Sequence, residues 1–488
     1  MCSDIMVLLR TGNSSEDLDW ETLASIMEHI HLLESEIVAR NERLQPQAML
    51  HDVPPQHERD LAMQDLENHK SIFAPIRRLP NDVLLRIFQM STGVGVKPDV
   101  KTIPWVLGYV CHHWRALSRS SHSLWTDICL ASLRYSNLSS GQRSLRNRLL
   151  SLSGDSPLKI TINMINPFKA DIPHRPVFPS DDRDRILEDI TRHSHRYSRI
   201  TLIIGGPVST AQNFSCRLPL LRSLFLAVFD INNPRICRLF SSAPLLQDVN
   251  FVGPIVMWRE FARVVSLSQL VRLTVHDDIM PDFYACVKET TALEDLYFRI
   301  SHLEDQVVQP STPGSNAQLL PTFVHNNIQK LVLDGKLLCI LDRFSIPNLK
   351  ELLICSKLGE DHLVRPEVES PDLGVGVGHL LRFLKGSECN LQAFHCFIPI
   401  PLSALRSLWK QWLSSLTRLT ITITLPTQGD VVRELTFQEG EPGVLPNLQL
   451  LRLRTPDGVS IFEDDSLLKM VLSRLARCPG SFTTQDND

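Results

Sequence analysis

The chain has 488 residues, of which 43% are hydrophobic, and its formal net charge at pH 7 is −4. This length allows two or three domains with a substantial core, and the charge excludes a strongly basic protein that binds nucleic acid through its overall field. No apolar run approaches the roughly 18–20 residues of a membrane span, and the apolar run near the start is too short for a secretory signal.

Residues 1–70 are predicted to form an acidic helical segment. They contain fourteen acidic and five basic residues, hence a net charge of −9. A stripe of apolar residues follows the three- and four-residue steps of a coiled coil, with Arg40 at its one polar position. The members of this stripe are Leu23, Ile26, Ile30, Leu33, Ile37 and Leu44. It is predicted to pack in cis or on a second copy, so a homodimer through this helix is one of the alternatives.

Residues 75–130 carry three short helical signals. Leu79-Pro80 opens the first, because proline is tolerated at the first helical position, and Asp82 suits the positive end of the helix dipole. The three apolar stripes are Val83, Leu84, Ile87 and Phe88, then Leu107, Val110, Cys111, Trp114 and Leu117, then Leu124, Trp125 and Ile128. Residues 91–104 are predicted to be a loop inserted between the first two helices. So small a segment cannot bury all of these side chains, which predicts a partner for some of them.

These motifs closely resemble an F-box, in particular the F-box-like variant abundant in mushroom-forming fungi. The resemblance implies a three-helix module that binds the Skp adaptor of an SKP–cullin–F-box ubiquitin ligase and, through it, cullin. It also implies that one set of residues supplies adaptor contacts or the core behind them. That set is Leu79, Pro80, Val83, Leu84, Ile87, Phe88, Val110, Cys111, Trp114, Leu124 and Trp125. The alternative is an ordinary helical subdomain whose stripes serve internal packing only.

Between residues 150 and 480 the pattern L-x-x-L-x-L, loosely read, recurs ten times. Its last position falls at 202, 226, 251, 275, 298, 333, 354, 396, 421 and 453, and SPLKITI at 156–162 is an earlier degenerate copy. Most of the steps fit the roughly 20–29-residue period of leucine-rich repeats, which this region resembles in a degenerate form. The predicted fold is therefore α/β, with N-terminal helices and a three-helix F-box followed by an irregular leucine-rich-repeat solenoid. A plain α/β sheet is the alternative.

A solenoid of this type presents its strand face as a concave binding surface. The residues between the inward-pointing positions are mixed in charge and include aromatic side chains, which suits a target protein better than a nucleic acid. The candidate target-binding residues are Phe225, Arg272, Tyr297, Arg299, His395 and Arg452.

Motifs for catalysis and metal binding are weak in this sequence. GVGVG at 374–378 lacks the context of a nucleotide-binding loop and is predicted to be a flexible loop. A metal site needs several ligands close together, and none is predicted here. The histidine pairs lack such partners; they are His112/His113 and His193/His195. Three further candidates are close in sequence but belong partly to a repeat strand; they are Cys389, His395 and Cys396. No catalytic residue, metal or cofactor is therefore predicted. Eleven cysteines without a CxxC pair predict reduced thiols and a cytoplasmic or nuclear location.

The function that these expectations favour is a non-enzymatic substrate-recognition subunit of the ligase, with the helical module on the adaptor and the repeats on the target. Two other classes stay open. One is a leucine-rich-repeat scaffold or ligand sensor unrelated to ubiquitin, and the other is an enzyme whose site lies within the repeat region.

Overall fold

The computed structural model describes residues 2–12, 14–44, 54–93, 95–97, 99–130, 140–164, 191–205, 216–229, 234–276, 287–299, 323–355, 373–411, 415–422, 428–437, 444–454 and 464–475. The fold is α/β, with N-terminal helices and parallel strands. The chain divides into two compact units, Met1–Asn163 with Arg196–Thr201 and Met164–His195 with Leu202–Asp488. Within the described ranges, no helix combines the length and hydrophobicity needed to cross a membrane.

Three helices begin the first unit: α1, Cys2–Thr11, α2, Trp20–Leu44, and α3, Pro54–Ser71. Helix α3 packs against both α1 and α2, and Ile5, Ile26 and Ile72 form the core between these helices. The carboxylate of Glu34 on α2 lies 2.6 Å from the ammonium of Lys70 on α3. The first unit thus begins with a helical hairpin, formed by α2 and α3, against which α1 packs.

The predicted apolar stripe of α2 packs in cis. Ile26 and Leu33 are buried, and Leu23, Ile30 and Ile37 are half-buried. The side chain of Leu44 lies outside the described residues. The face of α2 that a coiled-coil dimer would use therefore already packs within the chain.

Segment 75–130 follows the prediction in its first helix and departs from it afterwards. Helix α4 spans Asn81–Ser91, after a 3-10 turn at Pro75–Arg78. The predicted second helix is two helices, α5, Leu107–Val110, and α6, His112–Ser120. The predicted third helix is wrong, because it is a single 3-10 turn, His122–Trp125, that leads into strand β1, Asp127–Cys129.

The loop predicted at 91–104 is attached to the core of the first unit. Val96 is buried, its N–H donates to the carbonyl of Asp127 at 2.6 Å, and its carbonyl accepts from Cys129 at 2.9 Å. Gly95 makes this approach possible: its φ is +78°, and a Cβ there would lie 2.6 Å from the Cβ of Cys129. The loop is thus held against strand β1 by two backbone hydrogen bonds.

The first unit ends with parallel strands. After helix α7, Ser140–Leu152, strand β2, Leu158–Asn163, pairs with β1 in parallel. Strand β3, Tyr197–Ile204, follows β2 in the sheet and begins in this unit. Just before it, the buried guanidinium of Arg196 donates to the hydroxyl of Ser153 at 2.7 Å and to the carbonyl of Ser156 at 3.0 Å. The degenerate copy at 156–162 is therefore a strand.

In the second unit the strands of the main sheet are parallel and follow chain order. They are β4, Ser223–Val228, β5, Asp248–Val252, β6, Arg272–His276, β7, Asp295–Arg299, β9, Lys330–Asp334, β11, Glu351–Cys355, β12, Ala393–Pro399, β13, Arg418–Thr422, and β14, Leu450–Arg454. The short strands β8, Phe323–Val324, and β10, Phe344–Ser345, pair separately. The last positions of all ten copies of the repeat pattern therefore lie in strands, the first of them in β3.

The register between strands repeats the sequence pattern. In the pairing between β4 and β5, Leu224 stands opposite Val249, and in the next pair Val249 stands opposite Leu273. These three side chains are buried, as the alternation of apolar and polar residues predicts for a half-buried strand. One-residue slips are excluded because they would turn the apolar set toward the other face.

Helices and 3-10 segments occupy the connections between these strands. The helices are Ile255–Val264, Leu373–Ser387, Leu402–Gln411, Gln428–Leu435 and Asp464–Leu475, and the longer 3-10 segments are Pro234–Phe240 and Gly335–Arg343. The predicted loop at 374–378 is wrong, because GVGVG forms the first turns of a helix. A Cβ at Gly376 would lie 3.1 Å from Leu338, so the glycine lets that helix approach the 3-10 segment closely.

Arg474 holds three backbone carbonyls at the C-terminal end of the second unit. It is buried, and its guanidinium donates to the carbonyls of Leu435, Leu445 and Val444 at 3.0, 3.0 and 2.8 Å. Lysine keeps the charge but has no planar fork, so Arg474→Lys leaves carbonyls unpaired and is expected to lower the free energy of unfolding by about 2–4 kcal/mol. Urea unfolding measures this effect.

The control for that prediction is Arg433→Lys, because the Arg433 side chain is 79% exposed and lies 3.6 Å from the nearby Asp430. This control is expected to stay within about 0.5 kcal/mol of wild type. Equal stabilities for the two variants would contradict the structural role of Arg474.

We expect His325 to make the second unit less stable in acid. Its side chain is buried, with Nε2 donating to the carbonyl of Thr290 at 2.9 Å and Nδ1 accepting from the N–H of Asn327 at 3.3 Å. Burial lowers the pKa of His325, against the opposing effect of the Thr290 bond. As the pH falls below the ordinary value of about 6.5, the unfolded chain therefore takes up a proton that the folded chain does not.

Wild type is expected to lose at most about 1.4 kcal/mol through this group between about pH 7.5 and about pH 5.5. His325→Gln removes the titrating group and is expected to lose less stability over that interval. Urea unfolding of both proteins at the two pH values measures the difference. The same pH dependence in the two proteins would rule out His325 as the acid-sensitive group.

Candidate functional site

Segment 75–130 leaves a row of apolar side chains exposed on two helices. On α4 they recur at three- and four-residue steps from Pro80 through Val83 and Ile87 to Met90, and Met90 is 75% exposed. On and beside α5, the exposed apolar residues are Val106, Tyr109 and Val110. Both helices pack on α6. These seven residues are called the apolar face below.

The other residues of the resemblance lie behind this face. Leu84, Phe88, Cys111, Leu124 and Trp125 are buried, so they are core residues and cannot contact another protein directly. These five residues therefore belong to the core part of the set, and its exposed members are Pro80, Val83, Ile87 and Val110. Leu79 and Trp114 are half-buried.

Aromatic packing and one buried hydrogen bond fix that core. The rings of Phe88 and Trp114 lie 4.8 Å apart, and those of Trp105 and Trp125 lie 4.8 Å apart at an edge-on angle. The indole N–H of Trp125 donates to the carbonyl of Ser118 at 2.8 Å. Centroid distances of this size are typical of favourable aromatic pairs.

Cys111 explains why α5 and α6 are separate helices. Its backbone is extended, with φ −156° and ψ 173°, and its Sγ accepts from the N–H of Trp114 at 3.4 Å. Across the break, Nε of Arg115 donates to the carbonyl of Gly108 at 2.6 Å. Val110 consequently lies on the exposed surface while Cys111 enters the core.

In the second unit the candidate target-binding residues lie on one face of the sheet. The side chains of Phe225, Tyr297 and His395 are half-buried, and those of Arg272 and Arg452 are exposed. Arg299 ends strand β7, but its side chain lies outside the described residues. Other positions that the register predicted to point outward, Val332 and Thr420, are buried.

Charges alternate in sign along the first position of neighbouring strands. From β5 to β11 the register aligns Asp248, Arg272, Asp295, Lys330 and Glu351. Asp248 and Arg272 are 3.1 Å apart, and Lys330 and Glu351 are 2.9 Å apart. This row is called the charge ladder. Because neighbouring strands neutralise each other, the ladder is not the continuous basic stripe that a phosphate backbone requires.

Partial burial and neighbouring charges shift the pKa values of two residues of the charge ladder. Burial opposes the charged form of Lys330, but the ion pair with Glu351 prevails and raises the pKa of Lys330. Burial raises the pKa of Asp295, against the effects of Lys330 and Arg272. The ammonium of Lys330 also lies 5.8 Å from the centre of the Tyr297 ring. This distance is within the range of a cation–π contact between Lys330 and Tyr297.

His395 lies beyond the ladder on the same face. Burial lowers the pKa of His395, so its neutral form is favoured. Its Nδ1 lies 2.9 Å from the hydroxyl of Thr420 on the neighbouring strand. His395 and Cys396 belong to one strand, where successive side chains point to opposite faces, and Cys396 is buried.

A groove in the second unit lies at the start of the last three strands. Its lining residues are Asn390, Gln392, Ser415, Thr417, Pro446, Asn447, Leu448 and Gln449. These side chains offer amides and hydroxyls for hydrogen bonding, and there is no acid, base or thiol among them.

Comparison of the sequence with models of known protein families, and with curated proteins, found no match.

Proposed function

We propose that this protein is the substrate-recognition subunit of an SKP–cullin–F-box ubiquitin ligase, without a reactive centre of its own. The observation that carries the proposal is the apolar face of segment 75–130, which stays exposed at Pro80, Val83, Ile87 and Val110. These are positions at which the sequence resembles an F-box. Exposed apolar side chains grouped along one face of a helix are typical of a protein-binding site.

The burial pattern supports the same role. The residues that alternate with the apolar face, such as Leu84 and Phe88, form a buried core behind it. A rigid support matters because binding energy concentrates in a few anchors whose positions are already fixed in the free protein. We therefore assign the exposed matched residues as anchors and the buried ones as the core that supports them.

For the second unit we propose a degenerate leucine-rich-repeat solenoid that captures the target. Support comes from the chain-ordered parallel strands and from the near-equal steps of the repeat between residues 202 and 298. The proposed contact residues are those of the strand face: Phe225, Arg272, Tyr297, Arg299, His395 and Arg452. Mixed charge with an aromatic centre suits a protein target.

The proposed mechanism is proximity. The adaptor, bound to one unit, brings a ubiquitin-loaded enzyme near a target that is bound to the other. Two sites on one chain turn a chance encounter into an effectively intramolecular transfer. A cytoplasmic or nuclear location is part of this proposal, since the ligase acts there.

The test is affinity capture of the full chain from cells, followed by mass spectrometry and by reconstitution with purified adaptor and cullin. The proposal expects both subunits in the captured complex and a defined complex of the three purified proteins. A capture that contains neither subunit, with no complex on reconstitution, would refute it. That result would leave the scaffold or ligand-sensor alternative, which requires no cullin.

A further inference from the structure

Two histidines and an aspartate meet where α2 and α3 pack together. His29 lies on α2, and Asp65 and His69 lie four residues apart on α3, so they share one face of that helix. One potential ligand atom from each of the three residues lies within 4.8 Å of the other two. The rings of His29 and His69 are 4.6 Å apart.

The protonation pattern of His69 leaves a lone pair for an ion. Its Nδ1 lies 2.7 Å from the backbone carbonyl of Asp65, which can only accept a hydrogen bond, so Nδ1 carries the proton. Nε2 then carries a lone pair. Metal-binding histidines usually hold their second nitrogen in this way, which fixes both the tautomer and the ring orientation.

The burial of Nε2 of His69 is a second observation that indicates a ligand. The His69 side chain is 0% exposed. Its Nε2 has no hydrogen-bond partner among the described residues. A buried acceptor without a partner is costly, and a coordinated cation would satisfy it. His29 and Asp65 are half-buried, and the carboxylate of Asp65 lies 3.7 Å from Nδ1 of His69.

We propose that His29, Asp65 and His69 form a binding site for a divalent transition-metal ion of the zinc class. Two imidazoles and a carboxylate are ligands that Zn²⁺ prefers, at about 2.0–2.2 Å, and three protein ligands leave a fourth position for water. The ion links α2 to α3 beside the ion pair of Glu34 and Lys70. It therefore stabilises the hairpin that precedes segment 75–130, and the site is independent of the proposed ligase function.

The test uses the full chain, freed of metal by a chelator and titrated with Zn²⁺ or with Co²⁺. Calorimetry measures the Zn²⁺ stoichiometry and affinity, and the visible absorption of Co²⁺ reports nitrogen and oxygen ligands in a site of low symmetry. One equivalent of metal per chain is expected. The thermal midpoint is expected to rise with metal, because an ion at a hundred times its Kd lowers the unfolded fraction about a hundredfold.

His29→Ala removes a half-buried ligand and leaves the buried core intact. It is expected to weaken Zn²⁺ binding by about 100-fold and to remove the metal-dependent rise of the thermal midpoint. The matched control is His31→Ala on the same helix, where the side chain is 75% exposed and lies 3.7 Å from Glu34. This control is expected to bind Zn²⁺ as wild type does.

His69→Gln provides a second variant and is checked by circular dichroism, because His69 is buried. A folded His69→Gln protein is expected to lose binding as His29→Ala does. If wild type takes up no Zn²⁺ or Co²⁺ at micromolar concentrations, or if His29→Ala binds as tightly as His31→Ala, the site does not exist. In that case a water molecule alone satisfies Nε2 of His69.

Discussion

Replacing Val83 and Ile87 together by aspartate is expected to weaken binding of the Skp adaptor by at least about 100-fold. The two side chains are 40% and 38% exposed and lie one turn apart on α4. In a complex with the adaptor they would be covered, so two unpaired carboxylates would have to lose water there. Calorimetry with purified adaptor measures the loss.

The same double variant is expected to fold normally. Both positions are already exposed, so the folded chain loses only helix propensity and some packing, about 1 kcal/mol in all. The control is Val256→Asp in the helix of the second unit, because Val256 is 46% exposed and lies outside segment 75–130. If the double variant bound the adaptor as wild type does, or if the control lost as much affinity, the apolar face would not be the adaptor-binding site.

Trp125→Ala is expected to lower the free energy of unfolding of the first unit by about 3–5 kcal/mol. The side chain is 1% exposed and packs edge-on against Trp105. Its removal leaves a cavity and deprives the carbonyl of Ser118 of its partner. Hydrogen exchange of the amides in α4 and α6 measures the stability of this unit separately from that of the second unit.

The control for this prediction is another tryptophan of the first unit. Trp20 is 78% exposed at the start of α2, so Trp20→Ala is expected to change the stability by no more than about 0.5 kcal/mol. If Trp125→Ala unfolded with the stability of Trp20→Ala, Trp125 would not be the core residue that the packing indicates.

The strands of the second unit were predictable because their signal is local and repeated. In a segment such as LVRLTV at 270–275, buried and exposed residues alternate with the period of a strand, and the same phase recurs in the next repeat. Burial at Val332 and Thr420 was not predictable in this way. It depends on which side chains of neighbouring strands cover them, and that information is not local.

Segment 75–130 shows where helical periodicity misleads. Leu107, Val110, Cys111 and Trp114 follow helical spacing, yet the backbone of Cys111 is extended and ends one helix before the next begins. The apolar residues at 124–128 are too few to distinguish a helix from a 3-10 turn that leads into a strand. Which of the stripe residues are buried and which form the apolar face also depends on the packing of α4 and α5 against α6.

The sequence alone did not indicate the proposed metal site, because its three residues come from two helices that meet only in the folded chain. Asp65 and His69 have a four-residue spacing that places them on one helical face, and this signal is present in the sequence. The third residue of the proposed site, His29, lies 36 residues before Asp65, on a helix whose partner the sequence does not specify. The helix formed by GVGVG at 374–378 was also not predictable from the sequence. The reason for a glycine at 376 is the close approach of Leu338, which is distant in sequence.

The most direct test of the central proposal is hydrogen exchange of the full chain with and without purified Skp adaptor. The proposed adaptor-binding role predicts a one-to-one complex in which new protection is confined to residues 79–91 and 106–115, with the amides of β4–β14 unchanged. Failure to form a complex, or protection that falls on the strands and leaves α4 unchanged, would contradict it.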